Sequence, residues 1–291
     1  MDRRRFLKVT GGMGGGMMAM GAFPTLNACG GRTAKDHYPF GIQLFTLRSD
    51  MAVDPFGVME RVASFGYRQI ESYEGPSGMF WGKSPADLKG VMDDLDLDLV
   101  SSHCDIHQDF EEKAAQAASI GMRYLVCPHI GSQPTLHEYR RYADLFNECG
   151  EICRREGIRF AYHNHAYTFQ PLDGVYPQDL LMQETDPALV DFQLDMYWVA
   201  VAGADLETWL RRYPGRFALV HVKDLAEDPT GEGRTRSCTL GTGVLDYKRL
   251  LPVAWETGTR YFIIEQEAYE GTTPMDSARD NAQYMRQFRF G

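Results

Sequence analysis

Four short apolar runs in the second half of the chain each end in a residue able to hold a metal ion. Residues 159–162 lead into His163, residues 189–194 into Asp195, residues 217–220 into His221, and residues 261–264 into Glu265. Short apolar runs that alternate with longer helical patterns read as parallel strands joined by crossover helices. When such strands close into a barrel, their carboxyl ends surround one mouth. Four ligands far apart in sequence then converge on a single point. Two imidazoles and two carboxylates form a mixed nitrogen and oxygen set suited to Mn²⁺, Zn²⁺ or a similar divalent ion.

The same grammar runs from Phe40 onward. Strands are predicted at 41–45, 67–72, 97–102 and 123–127, followed by the four that end at His163, Asp195, His221 and Glu265. Asp54-Pro55 and Ser84-Pro85 open helices with proline at the first helical position. A long helix at 136–156 stops at Gly157, and helices at 177–185, 205–213, 246–257 and 275–288 fill the remaining gaps. Eight units in about 250 residues match a single-domain (β/α)₈ TIM barrel. A chain of 291 residues, 44% hydrophobic, can bury one such core. An open doubly wound sheet shares the local pattern. The missing G-x-G-x-x-G turn after strand one weakens its dinucleotide-binding form. The glycine-rich segment 224–246 has no Walker pattern and reads as a mobile rim loop beside the site.

The formal net charge is −10, and residues 1–28 carry a net +3, so the rest stands at −13. An acidic body argues against nucleic acid as a partner, since phosphate backbones are held by cationic contacts. It suits neutral sugars and cations. No apolar stretch is long enough to span a bilayer, and six cysteines without a CxxC pair predict no disulfide framework.

The amino terminus has the order of an export signal: a charged segment, a weakly apolar run, then small residues. Arg3-Arg4-Arg5-Phe6-Leu7-Lys8 resembles a twin-arginine signal, and Leu26-Asn27-Ala28-Cys29 resembles a lipoprotein processing site. The expected organisation is an export signal at 1–28, a tether at 29–38 and the barrel at 39–291. A periplasmic location follows, with acylated Cys29 as the one membrane contact. Phosphorylated sugars are chiefly cytosolic, so the expected partner is an unphosphorylated small carbohydrate.

At this point the motifs resemble a known family. Gly41-Ile42-Gln43-Leu44-Phe45-Thr46-Leu47-Arg48, Gly66-Tyr67, Glu71, Ser101-Ser102-His103 and Tyr162-His163-Asn164-His165 are similar to the sugar phosphate isomerase/epimerase family of xylose isomerase-like barrels. Leu194-Asp195, His221-Val222-Lys223-Asp224 and Ile264-Glu265-Gln266-Glu267 extend the likeness across residues 40–290. The resemblance implies one divalent metal, commonly Mn²⁺, with Zn²⁺, Co²⁺ or Mg²⁺ as substitutes. Its ligands carry over directly onto Asp195, His221 and Glu265. The fifth-strand ligand, a glutamate in the sugar epimerases, is here His163, as in a His-Asn-His branch. That change removes one partner of the epimerases' two-glutamate proton shuttle. Trp198 stands where epimerases often place a histidine; an indole stacks on sugar faces but carries no protons.

The implied chemistry needs a divalent ion to polarise a carbonyl, a base near the adjacent carbon, and a proton donor. Glu265 could be both ligand and base, with Glu267 as a second carboxylate. Lys223 shares a side of its strand with His221 and could place a charge near an oxyanion, or reach solvent from the rim. His103 is an acid/base or substrate donor, or a structural imidazole. His165 is a substrate contact or proton carrier beside His163. Glu71 is a substrate-hydroxyl acceptor or a salt-bridge partner, and Trp198, with Tyr73, Phe80 and Trp81, could wall a sugar site.

The expected function is a metal-dependent isomerase or epimerase acting by proton abstraction beside the carbonyl of an unphosphorylated keto-sugar. A lyase removing the aglycone of a 3-keto-glycoside shares the same metal and first step. A non-catalytic carbohydrate-binding lipoprotein is the alternative of another class. Abasic-site endonucleases share the barrel, but they need three zinc ions and a basic groove that this acidic chain does not offer. A homo-oligomer is compatible with the sequence.

Overall fold

The computed structural model describes residues 38–289 except positions 229, 230, 232 and 234. The export signal, Cys29 and the tether up to residue 37 lie outside the described residues. Eight strands form a closed parallel barrel: Gly41–Gln43, Gln69–Tyr73, Asp98–His103, Tyr124–Cys127, Arg159–His163, Val190–Asp195, Phe217–Val222 and Tyr261–Ile264. Each pairs with its neighbour in sequence. Strand eight closes on strand one, with Ile263 beside Gly41 and Ile264 beside Ile42.

Side chains alternate along each strand, so one set fills the ring and the other faces the helices. Inside, Tyr124, Val126, Ala161, Leu219 and Ile263 form a small apolar plug separate from the outer core. Outside, the helix Leu136–Arg155 shows how the second layer is specified. Thr135 caps it by accepting the Glu138 N–H, and Arg154 and Arg155 occupy the last turn, where the helix dipole favours cations. Tyr139, Ala143, Phe146, Cys149, Gly150 and Cys153 recur at helical spacing and are buried. Phe146 stacks on Tyr162 at 5.0 Å, and a Cβ on Gly150 would come within 2.8 Å of Leu189. Truncating Phe146 to alanine should therefore cost about 3–5 kcal/mol.

Strand one ends at Gln43 instead of residue 45, and Leu44–Leu47, Arg48–Met51 and Ala166–Phe169 are short helical segments that the sequence reading does not assign. Three further features also depart from it. Phe110–Ser119 is a helix that the sequence reading does not assign; its cap residue, Asp109, is left-handed and makes no side-chain cap bond. Met196–Val201 is a second; a run of Met, Tyr, Trp, Val, Ala and Val carries no helical polarity by which to recognise it. Tyr38, expected as the last tether residue, belongs to the fold. Its hydroxyl donates to the Arg260 carbonyl at 2.6 Å and its ring meets Trp255 edge-on.

The rim segment after strand seven begins as a ribbon of Asp224–Leu225 against Ser237–Cys238. The buried Asp224 carboxylate accepts the backbone N–H groups of Leu225, Gly241, Gly243 and Leu245. A Cβ on Gly243 would lie 2.4 Å from that carboxylate, so glycine is required there. One buried carboxylate thus ties both ends of this loop to the top of strand seven.

Candidate metal centre

His163, Asp195, His221 and Glu265 sit at the tops of strands five to eight. Period-two alternation explains why all four point inward, since His163 follows Ala161, His221 follows Leu219, and Glu265 follows Ile263 of the inner plug. One donor atom from each lies within 4.8 Å of the others. Their exposures are 3%, 0%, 0% and 6%, so the cluster is buried and opens outward only where His163 and Glu265 reach a cavity.

The outer nitrogens of both imidazoles are already engaged. His163 Nδ1 donates to the Pro128 carbonyl at 3.1 Å, leaving Nε2 at 3.3 Å from Asp195 Oδ2. His221 Nε2 donates to Glu71 Oε1 at 2.6 Å. Its Nδ1 lies 3.3 Å from Glu265 Oε2 and 3.7 Å from Asp195 Oδ2, buried and without a hydrogen-bond partner. Inner nitrogens facing carboxylate oxygens need a positive species between them, either a proton or a metal ion. Burial opposes charging His221, but the Glu265 and Glu71 carboxylates outweigh it and hold its pKa well above the ordinary value. Burial likewise opposes ionising Asp195 and Glu265, and the Lys223 ammonium overcomes it, keeping both below the usual carboxylate range. The donor set fits one divalent ion.

Asp195 is held in place from two sides. Its Oδ1 accepts the Trp198 N–H at 3.1 Å, capping Met196–Val201. The Asn164 side chain pairs with its backbone, accepting the Asp195 N–H at 2.9 Å and donating to its carbonyl at 3.3 Å.

Lys223 does not reach solvent. It is 1% exposed, with Nζ 3.1 Å from Glu265 Oε2, 2.7 Å from Glu267 Oε2 and 3.8 Å from Asp195 Oδ2. The rings of Tyr197 and Trp198 lie 5.0 and 5.4 Å from the ammonium. Burial disfavours the cation, but Glu265, Asp195 and Glu267 reverse that and raise its pKa. Glu267 lies past the end of strand eight yet turns back to this lysine, and it lines the cavity.

Of the two roles left open for Glu71, substrate-hydroxyl acceptor or salt-bridge partner, the geometry favours the second. It is 0% exposed, and its oxygens take hydrogen bonds from Gln43, Ser101, Gln193 and His221. No lone pair is left to meet a substrate. Burial would raise its pKa, but the imidazoles of His103 and His221 and the hydrogen bonds bring it down to about 2. His103 Nε2 lies 2.7 Å from Gln193 Oε1, and burial lowers its pKa to about 4. It is therefore a neutral imidazole near neutral pH.

Above the cluster lies a cavity of about 430 Å³, within the range of small-molecule sites. His103, His163, His165, Trp198, Glu265 and Glu267 line it, together with Phe45 and Tyr73. His165 stands between Tyr167 and Trp198, with ring centroids 5.7 and 5.1 Å away. Its Nδ1 is buried without a partner, and burial lowers its pKa to about 2. Phe80 is buried, Trp81 meets Tyr73 edge-on, and neither is among the residues lining the cavity. The sequence reading misses Gln193 and Asn164. The available signal for Gln193 is a polar residue two positions before Asp195 in a fully buried strand.

The profile of the xylose isomerase-like TIM barrel family matches residues 59–288. An inosose dehydratase of Geobacillus kaustophilus is 25% identical over 215 residues, covering 65% of this chain and 68% of the relative. Inosose dehydratases of Clostridium tetani and Geobacillus thermodenitrificans are matched over 50% and 55% of their own length. A solved structure of a sugar phosphate isomerase/epimerase from Parabacteroides distasonis superposes with a TM-score of 0.71 at 25% identity, over 87% of this chain and 94% of that one.

Proposed function

The chain belongs to the xylose isomerase-like TIM barrel family, and we propose that it is a divalent-metal-dependent isomerase or epimerase of an unphosphorylated keto-sugar, with Mn²⁺ as its ion. One observation carries this reading. Four donors converge at a cavity whose walls hold two further proton-handling groups, His103 and Glu267, the latter paired with the buried Lys223. Bound there, a divalent ion supplies polarisation of the substrate carbonyl and compensates the negative charge that develops on its oxygen.

The remaining tasks fall to side chains. Glu267 is not among the four cation-holding residues; its carboxylate can take the proton from the carbon beside the carbonyl. Lys223, 2.7 Å from it, holds positive charge against the same region. His103, uncharged and fixed through Nε2, can accept or return a proton at Nδ1. His103 stands at the end of strand three and Glu267 just past strand eight, three places round the ring, so the two approach the cavity from different sides. Two-sided access supports inversion or transfer of the proton between carbons. Trp198, Phe45 and Tyr73 offer ring faces for sugar C–H groups. Glu74, Asp105, Glu265 and Glu267 make the lining acidic, which disfavours a phosphate. The reading includes export by the twin-arginine route with Cys29 as a lipid anchor, supported by the order of residues 1–29.

A second reading is a lyase on the same site, with proton removal followed by loss of a β-substituent. The curated relatives named inosose dehydratase favour it. Incubating the Mn²⁺-loaded protein with ketoses and 3-keto-glycosides in D₂O tests both by NMR. Deuterium entering beside the carbonyl of an intact or epimerised sugar supports the first reading. Release of an aglycone or water with an unsaturated product replaces it by the second, and inertness toward both substrate classes overturns both.

A further inference from the structure

We propose that Glu71 is a positioning residue that decides, from beneath the metal-holding cluster, which nitrogen carries the proton on two imidazoles at once: His221 among the cation ligands and His103 on the cavity wall. Its His221 half rests on the reading of that cluster as a metal site; its His103 half does not.

An ionised carboxylate only accepts hydrogen bonds. Glu71 Oε1 receives His221 Nε2 at 2.6 Å and Gln43 Nε2 at 2.9 Å, while Oε2 receives Ser101 Oγ at 2.6 Å and Gln193 Nε2 at 2.7 Å. Because the Gln193 amide nitrogen faces Glu71, its oxygen must face His103 Nε2, 2.7 Å away. Glu71 Oε1 lies 3.3 Å from the same His103 nitrogen. Both neighbours of His103 Nε2 are acceptors, so that nitrogen carries the proton and Nδ1 is bare. His221 is set directly and in the same sense: Nε2 protonated, Nδ1 turned toward Glu265 and Asp195. One sealed carboxylate therefore fixes a ligand atom for the metal and a proton-accepting atom for the substrate.

Glu71→Gln distinguishes this from mere filling of space. The new NH₂ group must occupy one of two corners, each surrounded by donors. At the Oε1 corner it meets Gln43, whose amide cannot turn because its oxygen holds the Phe45 N–H at 3.0 Å. At the Oε2 corner it meets the Ser101 hydroxyl, which can rotate to accept, and the Gln193 amide, which can flip. The variant should settle there. Gln193 then presents its NH₂ to His103 Nε2, and the His103 proton moves to Nδ1.

The test is ¹⁵N NMR of the histidine rings in the full-length protein, metal-free and zinc-loaded, with calorimetric zinc titration. In the wild type, His103 and zinc-loaded His221 should both be protonated at Nε2. In Glu71→Gln, the His103 proton should move to Nδ1 while zinc-loaded His221 stays protonated at Nε2. Glu71→Ala removes the acceptor for His221, and its zinc affinity should fall about 10–100-fold. A wild-type His103 protonated at Nδ1 overturns the proposal even if no variant folds, as does a Glu71→Gln spectrum identical to wild type. Unchanged zinc affinity in Glu71→Ala overturns the His221 half. Failure of the wild type to bind zinc defeats the metal reading instead, and the metal-free His103 tautomer still decides the remainder.

Discussion

His221 holds its Nδ1 3.3 Å from Glu265 Oε2 while its other ring nitrogen is bound to Glu71 at 2.6 Å. A buried imidazole in that position has room for one positive species on its inner side. Without a metal ion the species is a proton, because Glu265 and Glu71 overcome the burial penalty and raise the His221 pKa well above its usual value.

Metal uptake near neutral pH is therefore expected to release about one proton per site, and apparent affinity should rise about tenfold per pH unit while His221 remains protonated. Titrating Mn²⁺ in buffers of different ionisation enthalpy measures the release directly. An enthalpy independent of buffer would show that no proton leaves.

Asp195 serves two neighbours with its two oxygens, capping a helix through Oδ1 and facing the histidines through Oδ2. Asp195→Asn keeps a cap acceptor and should lose metal affinity with little other change in the helix. Asp195→Ala loses the cap as well, and should be less stable than Asp195→Asn by about 1 kcal/mol in the metal-free state. Denaturant titration of the pair resolves the difference.

Lys223 is itself buried and compensates the buried Asp195 and Glu265 together with Glu267 on the cavity wall. Lys223→Met leaves those carboxylates without their cation, and the metal-free protein should lose about 3–5 kcal/mol. Added Mn²⁺ should recover more stability in this variant than in the wild type, since the ion then supplies the missing charge. Equal thermal shifts in both proteins would count against an electrostatic role for the lysine.

His103 contributes a pH dependence of its own. Burial lowers its pKa from 6.5 to about 4, so the folded protein prefers the neutral ring. As pH falls below 6.5 the unfolded chain takes up the proton first. The stabilisation is full above 6.5 and is lost progressively down to about pH 4. The gap corresponds to about 3 kcal/mol. Denaturation of the metal-free protein between pH 7 and pH 4 should show this loss, and His103→Gln should flatten it.

Much of this site was legible in the sequence because barrel ligands stand at strand ends, and strand ends are marked by the close of an apolar run. His163, Asp195, His221 and Glu265 all follow that rule, and inward alternation carries Lys223 to the same place as His221. Glu71 does not stand at a strand end but third of five in Gln69–Tyr73, and its role did not follow from its place. Its partners Gln43, Ser101, Gln193 and His221 come from four other strands, the last two 122 and 150 residues away. Only closure of the ring shows that they saturate its oxygens. The helix Met196–Val201 was hidden for a local reason, since its cap is Asp195, whose position already had a reading as a metal ligand.

The most direct measurement is anomalous diffraction from a crystal soaked in Mn²⁺. A single strong peak bonded at about 2.0–2.3 Å to His163, Asp195, His221 and Glu265 is the expected result. A peak elsewhere in the barrel, or one that leaves out two or more of these side chains, would contradict a shared cation at the mouth.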